Sequence, residues 1–339
     1  MIVTVAMPAF NRSHIIREAI ESALVQTYQN FELIVVDDGS RDNTSEIVAQ
    51  VRDPRIRCIR LEQNKGVAAA RNLILREARG ELISFLDSDD LWKPSKLEKE
   101  VDFLQRHPEA DAVFEDLEKY DRGAYIASFQ RQTPYFSTML AERNYPREIV
   151  FTEREMYLCL LREVPIKPTA LTVRAVALRR AGWFNEDWRA GSDWEYLIRL
   201  SRVCRFGYID ERLAVLRLQD DATHRLYRVE NLAMQLALYK QELLQLKEDM
   251  EATDALNWSY CAISKHLART YLASGQQSEA AKAYARAFRE TGNTGMLARA
   301  LFAYLPPGVR DSFKKLTGKA AAEGPAQAVR PSPDSVKPS

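Results

Sequence analysis

Apolar and polar positions alternate in two different rhythms along the first third of the chain. Ile2 to Met7 is a short run of β-formers that stops at Pro8 and predicts a strand. Ile15, Ile16, Ala19, Ile20 and Ala23 then recur at helical spacing, which predicts a helix from a Ser13 cap to about Val25. Phe31 to Val36 predicts a second strand, Thr44 to Val51 a helix, Ile56 to Leu61 a third strand and Val67 to Ala78 an alanine-rich helix. Leu82 to Leu86 predicts a fourth strand, entered through Arg79-Gly80. Strands that alternate with helices in this way predict an α/β fold, a parallel sheet covered on both faces. In such sheets ligands bind beyond the carboxyl ends of the strands.

The strand ends carry the candidate chemistry. They read Pro8-Ala9-Phe10-Asn11, Asp37-Asp38-Gly39-Ser40, Asn64-Lys65-Gly66 and Asp87-Ser88-Asp89-Asp90. Three aspartates within four positions repel one another unless a cation neutralises them, and hard oxygen ligands suit Mg²⁺ or Mn²⁺. The same residues also read as a turn in which Asp89 or Asp90 caps the helix after Pro94. No Gly-x-Gly-x-x-Gly follows the first strand and no Gly-Lys-Ser/Thr occurs, so the ordinary dinucleotide and P-loop readings are poor.

Beyond the aspartates the pattern predicts a helix from Lys93-Pro94-Ser95 to about Gln105, and a short strand at Ala112-Val113-Phe114. From Asp116 to Pro165 it loosens. Tyr120, Tyr125, Phe129, Tyr135, Phe136 and Tyr145 there fit either stacking on a ligand or a local core under a long loop. A helix is expected at Glu153 to Leu161, another through Asp193 to Leu200, and strands at Arg205 to Asp210 and Leu213 to Leu218. Asp193 falls in the first turn of its helix, where the dipole favours a negative charge.

From Val229 helix formers dominate, with Leu232, Leu236, Tyr239, Leu243, Leu246 and Met250 as an amphipathic stripe. Leu267, Ala268, Tyr271, Gly275, Ala280, Tyr284 and Ala287 have the spacing of one tetratricopeptide unit. One unit makes a helical hairpin turning at Gly275, and a solenoid needs about three or more. Leu297, Leu301, Tyr304 and Leu305 continue the pattern to Pro306-Pro307-Gly308. Val309, Phe313 and Leu316 beside Arg310, Lys314, Lys315 and Lys319 form a basic amphipathic segment suited to an anionic bilayer or to ordinary docking. From Gly318 onward the composition predicts a disordered tail. The expected division is therefore a sheet domain over 1–222, a helical extension over 223–317 and a tail over 318–339.

A net charge of +1 across 339 residues gives no reason to expect a nucleic-acid partner. The four cysteines, Cys58, Cys159, Cys204 and Cys261, lie too far apart for a metal motif and suit a reducing compartment. No basic-then-apolar leader opens the sequence and no apolar stretch reaches spanning length, so the expected location is cytoplasmic, at most peripheral on the inner face of the plasma membrane.

Four motifs in order carry a resemblance: Met7-Pro8-Ala9-Phe10-Asn11-Arg12, Val35-Val36-Asp37-Asp38-Gly39-Ser40, Asn64-Lys65-Gly66-Val67 with Ala69-Ala70-Arg71-Asn72, and Phe85-Leu86-Asp87-Ser88-Asp89-Asp90. Together the chain resembles family-2 glycosyltransferases of the GT-A fold, a mixed, Rossmann-like sheet with flanking helices. The resemblance implies inverting transfer from a nucleotide-diphosphate sugar to a hydroxyl-bearing saccharide or lipid-linked acceptor, with Mn²⁺ or Mg²⁺. It implies that Pro8, Ala9 and Phe10 line the base and ribose pocket, with Asn11 and Ser88 in the same donor site. Asp38 would accept from the base, most naturally N3–H of uracil. Gly66 would let the backbone pass close to the nucleotide, and Arg71 would lie near base or phosphates. Asp87 would face ribose and metal, and Asp89 would ligate the metal.

The resemblance also makes Asp193 the general base, although Ser192 stands where the family usually has a glutamate. Ala181-Gly182-Trp183-Phe184-Asn185-Glu186 is similar to the family's Gly-x-Phe-Asp-Glu, with Asn185 in place of the aspartate. Trp183, Trp188 and Trp194 would wall the acceptor side, and Arg217 would meet the diphosphate. Gln219 stands where the family often has a histidine, and His224 follows several residues later, so either is a candidate to complete the metal site. Two other readings stay open: a nucleotidyltransferase of related sheet, and a non-catalytic scaffold acting through the helical hairpin. The first would want a Gly-rich, basic loop that Pro8 to Arg12 does not provide. The sugar, the linkage and any homo-oligomer are not legible at this stage.

Overall fold

The computed structural model describes residues 1–121, 123–126, 128–188, 191–218, 228–246, 248–305 and 309. Gln219, His224 and the basic segment after Val309 lie outside the described residues. The chain divides into two compact units at Ile263/Ser264.

The first unit is built on one ten-stranded sheet. Strands β1 (Val3–Ala9), β2 (Phe31–Asp37), β3 (Ile56–Arg60) and β4 (Leu82–Phe85) lie parallel in the order β3-β2-β1-β4. Helices α1 (Ile16–Leu24), α2 (Thr44–Gln50) and α3 (Val67–Glu77) connect them. After β3 the chain crosses to the other side of β1, so the carboxyl ends of β1, β2 and β4 meet at a switch point, where open α/β sheets bind ligands. Val3, Val5, Met7, Leu33, Val35, Ile16, Ile20 and Ala23 are fully buried in the core beneath.

Past β4 the sheet is mixed rather than parallel. It continues through β5 (Leu91–Trp92), β6 (Ala112–Asp121), β7 (Ala124–Ile126), β8 (Glu148–Phe151), β9 (Leu171–Arg174) and β10 (Phe206–Arg217). β9 runs antiparallel to both β4 and β6, whereas β10 is parallel to β6. The two strands expected over Arg205 to Leu218 are one, because the polar break at Asp210–Arg212 is absorbed as a register shift against β6. The short strand expected at Ala112 extends to Asp121. Helix α4 (Lys96–Arg106) follows β5, and no side chain caps it, so Asp89 and Asp90 are not its caps. Ser13 does not cap α1 either. That helix starts at Ile16, and the Ser13 backbone N–H donates instead to Asp42 at 3.0 Å.

The loosely patterned region carries regular structure among its described residues. It holds α5 (Pro134–Ala141) and leads into α6 (Glu153–Arg162), whose Thr152 and Glu155 form a reciprocal capping box. Phe136 is fully buried among the rings of Phe114, Phe151 and Tyr208, so it is core. Tyr125 and Tyr145 are exposed. Helices α7 (Ala175–Ala181) and α8 (Ser192–Ser201) precede β10. Helix α9 (Arg228–Gln245) packs on this unit: Tyr239 meets the Trp194 ring edge-on at 4.7 Å, and Glu242 pairs with Arg202 and Tyr157. The first helix of the expected extension therefore belongs with the sheet.

Helix α10 (Met250–Ala273) runs across the division. In the second unit its last turns lead through Gly275, at φ 72°, into α11 (Gln277–Thr291), and α12 (Thr294–Ala303) follows. The turn falls at the predicted glycine, the residue that adopts positive φ without steric cost.

Candidate active site

The loops at the carboxyl ends of β1 and β2 are laced together. Successive backbone N–H groups of Asn11, Arg12 and Ser13 donate to the side chains of Ser40 (2.8 Å), Thr44 (2.8 Å) and Asp42 (3.0 Å). Asn11 sits at φ 52°, and its side-chain oxygen accepts from the Arg41 N–H at 2.9 Å. Asp37 is fully buried and anchors the turn through Ser40 N–H at 2.9 Å and the Ser45 hydroxyl. Pro8 and Ala9 are buried beneath this loop while Phe10 stays exposed at its rim.

Asp38 bridges to the third loop. One carboxylate oxygen accepts from Lys65 N–H at 2.7 Å and the other from Gly66 N–H at 2.8 Å. Burial pushes Asp38 above its ordinary value, and these two donors pull it back only in part. Each oxygen keeps a second lone pair for a further donor. Gly66 has φ 95°, and a Cβ there would meet nothing within 4 Å, so its backbone faces open space.

The aspartate turn after β4 carries three different engagements. Asp87 Oδ1 receives Arg71 Nη2 at 2.9 Å, with the Arg71 side chain only 5% exposed. Asp89 Oδ2 lies 3.4 Å from Arg12 Nη2. Asp90 is buried, closes the turn by donating to the Asp87 carbonyl, and accepts the Arg217 N–H at 2.9 Å. Burial and the charge of Asp87 push Asp89 upward, with Arg12 opposing; burial and both neighbouring aspartates push Asp90 well above the ordinary carboxylate value. Arg217 Nε donates to the Asp89 carbonyl and its Nη1 to Glu18, so Arg217 braces the turn from behind. Ser88 is buried within the turn.

Buried polar atoms without a partner gather here. Arg71 Nε, Asp90 Oδ2 and Arg217 Nη2 all lack one among the described residues. Native interiors rarely tolerate this away from functional sites. The donor set also suits a divalent cation. Asp87 and Asp89 are hard oxygen ligands whose mutual repulsion a cation would relieve. No group of three or more side-chain ligands occurs among the described residues, so such an ion would complete its shell with phosphate oxygens and water, as Mg²⁺ commonly does.

The far wall comes from the segment before α8. Asn72, adjacent to Arg71 on α3, bonds both the N–H and the carbonyl of Phe184 and also reaches Glu186 at 2.8 Å. Phe184 stacks on Tyr196 of α8 with ring centroids 3.9 Å apart, and the Arg71 guanidinium lies 5.5 Å from its ring centre. A continuous set of contacts thus runs from Asp87 through Arg71 and Phe184 to α8. Asp193 is in the first turn of that helix, half-buried, and no hydrogen bond or ion pair engages its carboxylate among the described residues. Trp183 is exposed with Arg76 5.1 Å from its ring centre, and Trp188 is half-buried. Trp194 does not face this side. It is 4% exposed, donates its indole N–H to the Leu160 carbonyl at 3.0 Å and packs on Tyr239, so it is core.

Sequence reading missed Arg12 as the partner of Asp89, Glu18 as the partner of Arg217, and Arg199. The last is bidentate to Glu195 and fixes the Ala181 and Trp183 carbonyls at 2.7 and 2.9 Å. The only signal for Arg12 was its place in the first motif.

Residues 4–156 match the family model described as glycosyl transferase family 2. An uncharacterized glycosyltransferase of Rickettsia felis is 33% identical over 218 residues, which is 64% of this chain and 33% of that protein. The Escherichia coli UDP-Glc:alpha-D-GlcNAc-diphosphoundecaprenol beta-1,3-glucosyltransferase WfgD is 44% identical over 106 residues, 31% of this chain and 42% of that protein. The chain therefore spans less than half the length of either relative. Among solved structures, S. aureus TarS 1-349 in complex with UDP-GlcNAc superposes with a TM-score of 0.58 at 17% identity, covering 93% of this chain and 92% of that one. The sheet order, the strand-end motifs and these likenesses agree: residues 4–156 match glycosyl transferase family 2, and the first unit has the GT-A fold.

Proposed function

We propose that the chain is an inverting glycosyltransferase that moves a sugar from a nucleotide-diphosphate sugar, of the UDP class, to a hydroxyl on a saccharide or lipid-linked acceptor in surface-polysaccharide or glycoconjugate assembly. One observation carries this reading: Asp38, Asp87 and Asp89 stand just past the carboxyl ends of the parallel strands β2 and β4, where Arg71 pairs with Asp87 and Arg12 lies 3.4 Å from Asp89. The named activities of the relatives, UDP-glucose transfer in one and UDP-GlcNAc binding in another, support the donor class.

In this reading the first three loops take the nucleoside. Pro8, Ala9, Phe10 and Asn11 form its floor, and Asp38 accepts from the base while holding the Gly66 loop open. Arg71 and Arg12 meet the diphosphate, releasing Asp87 and Asp89 as they turn. Arg217 keeps the aspartate turn in place and need not touch the donor. Mn²⁺ or Mg²⁺ held by Asp89 and Asp87 would offset the charge that gathers on the departing diphosphate.

On the acceptor side Asp193 removes the hydroxyl proton. The acceptor oxygen bonds to the anomeric carbon from the face opposite the diphosphate, the carbon–phosphate oxygen bond breaks with its electrons going to the nucleoside diphosphate, and the proton stays on Asp193. Trp183 and Trp188 offer ring faces for the acceptor.

Titration with UDP, with and without Mn²⁺, tests the donor half, and a panel of nucleotide sugars scored for released nucleoside diphosphate tests the reaction. Metal-dependent UDP binding is expected. A nucleotidyltransferase would instead release pyrophosphate from a triphosphate, and a scaffold would bind neither UDP nor metal.

A further inference from the structure

Helix α12 of the second unit has no polar face. Of the residues in α12, Thr294–Ala303, Arg299 alone is charged. Met296, Ala300 and Ala303 are buried on the side that packs against α11. Leu297, Leu301 and, just past the helix, Tyr304 recur at i, i+4 and i+7, and they are 39%, 64% and 61% exposed. A surface helix ordinarily turns charge outward on the face away from its core. This one turns outward a row of large apolar side chains.

The charge lies on the neighbouring helix. Lys282, Arg286 and Arg289 of α11 recur at the same i, i+4, i+7 spacing and are all exposed. Lys282 is paired with Glu279 at 2.7 Å. A cationic row and an apolar row thus belong to one packed helix pair. The charge is also segregated along the sequence. Residues 264–339 hold twelve Lys and Arg against five Asp and Glu, although the chain as a whole carries only +1. Such asymmetry points to an anionic partner.

We propose that this helix pair docks on the surface of an anionic lipid bilayer. The apolar row enters the headgroup boundary and the cationic row meets lipid phosphates. At about 15 Å, α12 is too short to span a bilayer, so it lies in the interface plane. A second copy of the chain is the poorer occupant, because it would bring two cationic units together. Docking here does not depend on the sugar-transfer reading, since its test scores binding.

The test is co-sedimentation of the full chain with phosphatidylcholine vesicles, with and without phosphatidylglycerol, at low and high salt. Binding is expected only with phosphatidylglycerol and only at low salt. Leu301→Ser/Tyr304→Ser and, separately, Arg286→Gln/Arg289→Gln should each weaken it by roughly tenfold or more, with circular dichroism unchanged. The charge pair keeps the test valid if the apolar pair unfolds the helix. Absence of binding to phosphatidylglycerol vesicles, equal binding to neutral ones, or full binding by both variants would overturn the proposal. So would a concentration-dependent dimer that Leu301→Ser/Tyr304→Ser abolishes, which would assign the face to a second copy.

Discussion

The side-chain amide of Asn72 bonds both backbone groups of one residue. Its oxygen accepts from Phe184 N–H at 2.8 Å and its nitrogen donates to the Phe184 carbonyl at 2.9 Å. Phe184 is 112 residues further along the chain. The pairing imitates a rung of β-ladder and fastens the wall before α8 to the helix that carries Arg71. It ties together the two sides on which a donor and an acceptor would have to meet.

Asn72→Ala should therefore do more than remove three hydrogen bonds. It strands a buried N–H and a buried carbonyl on Phe184, and the expected loss is about 2–4 kcal/mol of unfolding free energy. Urea unfolding monitored by tryptophan fluorescence measures it. A loss within experimental scatter would mean that Phe184 is held by its ring packing on Tyr196 alone.

Arg71 is the cation that sits between the aspartate turn and Phe184. Arg71→Ala leaves Asp87 uncompensated beside Asp89 and removes a positive charge from the place proposed for the diphosphate. UDP affinity, measured calorimetrically with Mn²⁺ present, should fall by roughly tenfold or more. Unchanged affinity would remove Arg71 from the donor site.

A separate prediction concerns pH and the core between α4 and β6. Lys96, Glu100 and Glu115 are all fully buried, with Lys96 Nζ 2.7 Å from Glu100 and 3.6 Å from Glu115. One cation faces two carboxyls. Burial pushes Glu115 well above the carboxylate range, Lys96 opposing and Glu100 adding to the rise. A carboxyl whose folded value is raised contributes stability below its unfolded value, about 4.3, and that contribution is lost as pH climbs through the folded one. Glu115→Gln, which mimics the protonated form, should leave stability near pH 4 almost unchanged and raise it at neutral pH and above. Thermal melts across that range decide it; a variant less stable at high pH than the parent would contradict the assignment.

The parts of the fold legible in the sequence are those where one physical rule acts locally. β2 to β4 end within a residue of their apolar runs, while β1 runs on through Pro8 to Ala9 because β2 pairs with it there; the candidate residues stand at those ends because the strand direction puts them there. Elsewhere a non-local partner decides. β10 reads as two strands because Glu211 and Arg212 are polar, yet β6 carries the pairing past them. β9 follows Pro168 and is too short for a pattern of its own; its place between β4 and β6 comes from the sheet. The resemblance puts Trp194 on the acceptor side, whereas Tyr239 of α9 covers the ring and makes it core. Arg12 and Asp89 are far apart in sequence, and nothing short of the folded loops brings them to 3.4 Å.

The central claim is a division of labour: the strand-end loops hold the donor, and Asp193, with no partner of its own among the described residues, takes the acceptor's proton. Asp193→Asn keeps the size of the side chain and removes its basicity. Transfer to acceptor, followed as released nucleoside diphosphate with the best donor of a nucleotide-sugar panel, should fall by roughly a hundredfold or more while UDP affinity with Mn²⁺ stays within about twofold. Transfer at the parent rate, or loss of UDP binding together with transfer, would contradict the account.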